Sequence, residues 1–243
     1  MKTKNIILVC LLLLAYFPIY AQGEGGLGFR VMIPTGTFRQ NSDAWGIGGG
    51  LQALFKIGGN ESAVMLGGEI SYTMYGHSTR KFSVPIARVG WTTYSRNYEL
   101  AINNNMFMGH IMARIKPQHS GNVHPYADGL FGFNLLYTNA SLKDLTQNAN
   151  SNNNNTTNTT ETNNQLSDIV LSYGGAVGIQ FGGDAIKFDV KCYYLFGGNA
   201  QYYDASSVSY SVDNAGIVNA NFKEPKQSKT DVIIPQIGVI ILF

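Results

Sequence analysis

The chain has 243 residues, of which 44% are hydrophobic and 12% aromatic. Only 13% are charged, about half the share usual for a soluble globular domain. The first 21 residues hold two of the 17 Lys and Arg and none of the 15 Asp and Glu, so the remainder is neutral. That balance leaves no basic surplus for nucleic acid. Beyond residue 21 the single cysteine, Cys192, excludes an intrachain disulfide.

Lys2 and Lys4 precede an apolar run from Ile6 to Tyr20, and Ala21 follows as a small residue. This is the pattern of a cleaved secretory signal peptide over 1–21, too short for a stable transmembrane helix. Residues 22–243 are expected to form one domain. No other stretch approaches the roughly 18 apolar residues that a membrane helix needs, so any membrane crossing must be made by strands.

Eight strands are predicted in chain order, over 27–33, 45–57, 66–74, 107–116, 127–137, 171–181, 186–196 and 233–243. Each alternates, because successive side chains on a strand point to opposite faces. In 186–196, Ile186, Phe188, Val190, Cys192, Tyr194 and Phe196 oppose Lys187, Asp189, Lys191, Tyr193 and Leu195. In 45–57, Trp45, Ile47, Leu51, Phe55 and Ile57 oppose Gly46, Gly48, Gly50, Gln52 and Lys56. In all but the last strand the less apolar face is glycine, small residues or isolated charges. A water-facing sheet would carry abundant Lys, Glu and Thr there, whereas the interior of a narrow barrel suits glycine.

The predicted connections run over 35–44, 58–63, 76–100, 117–123, 139–168, 183–185 and 199–230. Longer and shorter ones alternate, as in a spanning barrel with long loops at one end, short turns at the other and an even strand number. Counting 82–94 and 207–222 as further spanning strands would destroy that alternation, so both read as hairpin extensions above the membrane. Outward-facing Trp45, Tyr72, Tyr137, Tyr173 and Tyr194 are expected near one rim, and Phe55, Phe181, Phe188 and Phe243 near the other, as two aromatic belts. Pro235 lacks a ladder donor, and a local bulge is expected there. The segment 146–165 is nearly all Asn and Thr, so a disordered loop is expected over about 140–167.

The terminal Phe243 and the run Pro125-Tyr126-Ala127-Asp128-Gly129-Leu130-Phe131-Gly132-Phe133 give the chain a more specific likeness. It resembles the small eight-stranded outer-membrane barrels typified by the OmpA membrane domain and OmpX. The resemblance implies an all-β, antiparallel up-and-down transmembrane barrel in the outer membrane of a Gram-negative bacterium, with long extracellular loops, short periplasmic turns and both termini periplasmic. It implies lipid partners including lipopolysaccharide, and a barrel-assembly machinery that reads Phe243. A protein partner at the extracellular loops or in an envelope complex would fit a structural or interaction role such as surface contact, adhesion or an accessory subunit. The alternative is a narrow pore or small-solute transporter.

The expected lumen charges are Arg30, Lys56, Glu69, Arg114, Lys116, Asp128, Lys187, Asp189 and Lys191. An eight-stranded interior is filled by side chains, and buried charges must pair, so these residues read as a plug. Some barrels of the family modify lipid A with a His, a nearby Ser and a carboxylate. Here only His77, followed by Ser78, lies at an expected outer loop, no carboxylate is close in sequence, and neighbours on a strand would face opposite ways, so no catalysis is expected. His77, His110, His119, His124 and Cys192 show no metal-ligand spacing, and no metal or cofactor is expected. The stretch 76–98 holds Arg80, Lys81, Arg88, Trp91 and Arg96, an expected outer binding surface for lipid phosphates or for a partner strand.

Overall fold

The computed structural model describes residues 23–42, 45–58, 62–89, 92–117, 121–145, 164–203, 207–212 and 218–243. The expected signal segment 1–21, Trp91, His119 and residues 146–163 of the Asn/Thr-rich loop lie outside them. In chain order the elements are β1 (Gly23–Pro34), α1 (Gly36–Asn41), β2 (Gly46–Lys56), β3 (Val64–Val89), β4 (Thr92–Ile115), β5 (Val123–Asp144), β6 (Asn164–Gly182) and β7 (Ile186–Gly197). They continue with β8 (Asn199–Tyr202), β9 (Val208–Val212), β10 (Val218–Phe222), β11 (Lys226–Lys229) and β12 (Val232–Leu242).

Eight strands, β1–β7 and β12, close into one antiparallel barrel in which each pairs with its neighbour and β12 returns to β1. The closing ladder begins at the chain end. Gly23 N donates to Phe243 O at 2.8 Å and Phe243 N donates to Gly23 O at 3.1 Å. The barrel is inside-out relative to a soluble protein. Ile111 is 70% exposed, whereas Arg114, three residues on and facing inward, is 0% exposed. Leu27, Phe29, Ile70, Phe131, Val177 and Phe188 are likewise exposed. In water such a surface would drive aggregation, but in a bilayer it is the solvated surface. Closure leaves no strand edge within this layer, as hydrocarbon requires.

The outer aromatic row includes Tyr173, stacked on Phe196 at 5.4 Å, and Tyr194 edge-on to Phe196 at 4.8 Å. At the other end Phe55 meets Phe243 at 6.1 Å and Phe181 stacks on Phe188 at 5.7 Å. The two expected groups thus sit at opposite ends of the strands.

Three expectations change. The strand through 66–74 does not stop at Gly76. Tyr75 and Gly76 together oppose Asn104, between the pairs Met74↔Asn105 and His77↔Asn103. Gly76 takes φ 74°, which a β-branched residue would resist, so the glycine makes a bulge rather than an end. β3 and β4 then continue to Val89↔Thr92, and β5 joins them as far as Tyr98↔Asp144. The result is a wall standing above the rim, with Val84, Tyr98, Leu100, Ile102 and Leu142 buried on its inner face. Residues 140–144 and 164–167 accordingly lie in strands. Second, no bulge occurs at Pro235. The register with β7 runs unbroken through Pro235↔Cys192, and the missing donor falls where the β1 ladder skips from Arg30↔Gln236 to Ile33↔Ile233. Third, the connection over 35–44 contains α1. It lowers Phe38 into the outer mouth, where the ring is fully buried, edge-on to Tyr75 and Tyr202 at 5.4 Å each.

Candidate functional site

The inward face of each strand builds the lumen, and its charges fall into two linked clusters. In the first, Arg30 from β1 meets Glu69 from β3 at 3.1 Å, and Lys191 from β7 reaches the same carboxylate at 3.4 Å. Tyr193 donates its hydroxyl to Glu69 and lies within 5.2 Å of the Arg30 guanidinium, ring centre to carbon. Lys191 also donates to Gln52 of β2. Four strands are thereby tied across the interior.

The second cluster lies nearer the end where the termini meet. Arg114 of β4 holds Asp128 of β5 through two parallel bonds, Nε at 2.7 Å and Nη2 at 2.9 Å. Its third nitrogen meets Glu24 of β1 at 3.0 Å, and Lys116 pairs with the same Glu24. Gln180 of β6 donates to Glu24 at 3.1 Å. The Arg114 guanidinium lies 3.8 Å from the Tyr126 ring centre, and the Tyr126 hydroxyl donates to Asp189 at 2.6 Å. The planar fork of Arg114 suits this task because it serves three carboxylate oxygens of two partners at once while stacking on a ring.

Seven of the nine expected lumen charges enter these clusters, Asp189 through Tyr126. Lys56 and Lys187 stand at the terminal end of the lumen, at Lys56↔Met65 and Ile240↔Lys187. Glu24 is the main residue that sequence reading missed. It shares parity with Arg30, so extending the first strand back from Leu27 would have found it. Glycines make the room. A Cβ on Gly50 would meet the Arg30 guanidinium, and one on Gly178 would meet the Tyr126 hydroxyl. Above the clusters, Met32, Met106, Met108, Leu136, Leu195, Val232 and Ile234 fill the lumen up to Phe38. His110 is buried between the two regions, its Nε2 3.0 Å from Ser172 Oγ.

The expected outer binding residues divide between the two faces of the wall. Lys81 projects from the outer face and pairs with Glu99 at 3.4 Å, its side chain still 69% exposed. Arg80 and Arg96 lie on the other face, opposite Leu100 and Val84 in register. Arg88 pairs through its backbone with Thr93 near the tip.

No protein-family model matches the sequence, and no curated protein matches it. Among solved structures the chain is similar to Ail, the attachment invasion locus protein of Yersinia pestis, in complex with the heparin analogue sucrose octasulfate. That likeness has 12% identity over 93% of this chain and 100% of Ail, with a TM-score of 0.43. It is also similar to a major outer membrane protein from Thermus thermophilus, at 12% identity over 90% and 99% of the two chains and a TM-score of 0.46. A further similar structure is the outer membrane protease OmpT from Escherichia coli, at 10% identity over 93% and 98% and a TM-score of 0.43. On its own strand register and apolar exterior, the chain is a closed eight-stranded antiparallel membrane barrel.

Proposed function

We propose that the protein is an integral barrel of a Gram-negative outer membrane, with a side-chain-plugged lumen and a working surface on the protruding wall. In this reading the termini are periplasmic and the wall of β3, β4 and β5 is extracellular. Lipopolysaccharide surrounds the outer leaflet, and the wall makes surface contacts, adhesive or as an accessory subunit of an envelope complex. Phe243, which closes the ladder at Gly23 and touches Phe55, serves as the feature read by the assembly machinery. The observation that supports the reading most is the arrangement of the interior. Arg30, Glu69, Arg114, Asp128 and Lys191 are all at least 95% buried and paired with one another. A second reading, a narrow pore, draws support from mid-lumen polar groups. Ser71 Oγ, Thr73 Oγ1 and both polar atoms of the Asn134 side chain are buried without a protein partner among the described residues, and such atoms favour water.

Deleting 80–95 tests the surface role. The deletion removes the β3 arm of the wall above Thr79↔Ala101 together with the wall's tip, and it leaves the eight spanning ladders whole. Heat-dependent gel mobility should therefore persist. Proteins and lipopolysaccharide retained by the intact chain in mild detergent should fall at least about tenfold, equivalent to 1.4 kcal/mol. Unchanged retention would discard the wall as the working surface.

A further inference from the structure

β4 lines the lumen with a set of donor atoms that neither ion-pair cluster uses. Its inward residues here are Met106, Met108, His110 and Met112, spaced two apart on one face. The three methionines are fully buried and His110 is 5% exposed. Met112 opposes Gly67 in the β3 ladder, with Met65 the next inward residue of that strand. His110 opposes Glu69 on one side and Gly132 on the other, so no side chain stands beside it on β5. The two ring nitrogens of His110 are treated differently. Nε2 lies 3.0 Å from Ser172 Oγ, whereas Nδ1 is buried with no protein partner among the described residues. With the ring proton on Nε2 and donated to Ser172, Nδ1 presents a lone pair to the lumen.

We propose that Met108, His110 and Met112 bind one soft monovalent metal ion, copper(I) or silver(I), through two thioether sulfurs and the imidazole Nδ1. Thioethers select soft ions, and imidazole completes such a set. Each methionine stands about 7 Å from His110 along the strand, twice the rise per residue. An unbranched side chain with three rotatable bonds can swing its sulfur across that distance toward the ring. The charge balance points the same way. The four cations of the two clusters are matched by four carboxylates, each already engaged. Among the described residues no three of His, Cys, Asp and Glu gather as a metal site. A hard divalent ion therefore has neither ligands nor counter-charge here, while neutral sulfur and nitrogen donors suit a single soft positive charge.

Plain packing is the competing account, since methionine fills irregular gaps in any interior. It explains the thioethers and leaves the histidine unexplained. A buried ring nitrogen without a partner is costly to keep, and an apolar residue would fill the same space at no such cost. Ser172 holds only the opposite nitrogen, which is how a group outside the coordination sphere fixes the tautomer and orientation of a ligating imidazole. Ser172 is in this sense a positioning residue.

The site belongs to the lumen and is independent of any role of the wall, so the 80–95 deletion should bind metal like wild type. The test uses the full chain with Cys10→Ser and Cys192→Ser, which removes both thiols. Phe38 closes the outer mouth, so the chain is folded into micelles in the presence of silver(I) nitrate in chloride-free buffer. Metal retained after gel filtration is counted by elemental analysis, and heat-dependent gel mobility is recorded on each sample. One ion per folded barrel is expected, and excess zinc(II) should not displace it. Met108→Leu and Met112→Leu conserve volume and should still fold. Each of them, and His110→Ala, should weaken binding at least about tenfold, and outward-facing Met74→Leu should change nothing. Ser172→Ala should cost about 10- to 100-fold in affinity, and Ser172→Thr should restore it. Nitrogen NMR of isotopically labelled histidine should show silver(I) shifting His110 Nδ1 while Nε2 stays protonated. A heat-modifiable barrel that retains no silver(I) overturns the site. Retention undiminished by Met108→Leu and Met112→Leu does the same, whether or not His110→Ala folds. Displacement by zinc(II) overturns the soft-ion assignment.

Discussion

Replacing Arg114 with methionine should destabilise the folded barrel by about 3–5 kcal/mol, the usual effect of removing one partner from a buried ion pair. The side chain is fully buried and serves Asp128 with two bonds and Glu24 with one. Methionine keeps most of the volume, so the loss reports charge rather than a cavity. Asp128 would lose both of its bonds to Arg114, whereas Glu24 would keep Lys116 and Gln180. The double variant Arg114→Met/Asp128→Leu should therefore recover most of the loss, because it removes the stranded charge as well as its partner. Denaturant midpoints in lipid vesicles would measure both. A single variant within about 1 kcal/mol of wild type would mean that water reaches this cluster freely.

Gly132→Val should be at least as damaging, above about 3 kcal/mol and at the severe end of overpacking. Gly132 faces the lumen on β5, and any Cβ there would run into the backbone carbonyl oxygen of Gly109 on β4. Gly67 and Gly174 stand in the same relation to Ala53 O and Tyr194 O. A flexible side chain could move aside, but a ladder carbonyl cannot move without losing strand pairing. These glycines let a small barrel coil tightly enough to close. Gly129 supplies the control. It lies on the opposite face of β5, and the nearest atom to an added Cβ is Ala113 O at 4.0 Å. Gly129→Val should fold like wild type, and equal damage from both substitutions would reject the steric account.

Strand number and facing were legible in the sequence because a period of two survives in every spanning segment. Ile186–Gly197 illustrates it, since its burial alternates residue by residue as its apolarity does. Heights were legible too, through the aromatic residues at strand ends. Partnership across strands was not. That Arg114 would join Asp128 and Glu24 depends on register and barrel closure, which no local pattern encodes. The wall was obscured by Gly76, which reads equally as a turn or a bulge until its partner Asn104 is known. The helix α1 is too short to show a periodic signal, and Phe38 within it looked like an ordinary loop residue.

In the proposed reading side chains seal the lumen, from the ion-pair clusters at the terminal end to Phe38 at the outer mouth. Single-channel recording in planar bilayers tests it most directly, on protein shown by heat-dependent mobility to be folded. The sealed barrel predicts no steady conductance above that of the bare bilayer at moderate voltages. Reproducible, long-lived conductance steps from the folded wild-type chain would contradict it and establish an open path along the polar groups at Ser71, Thr73 and Asn134.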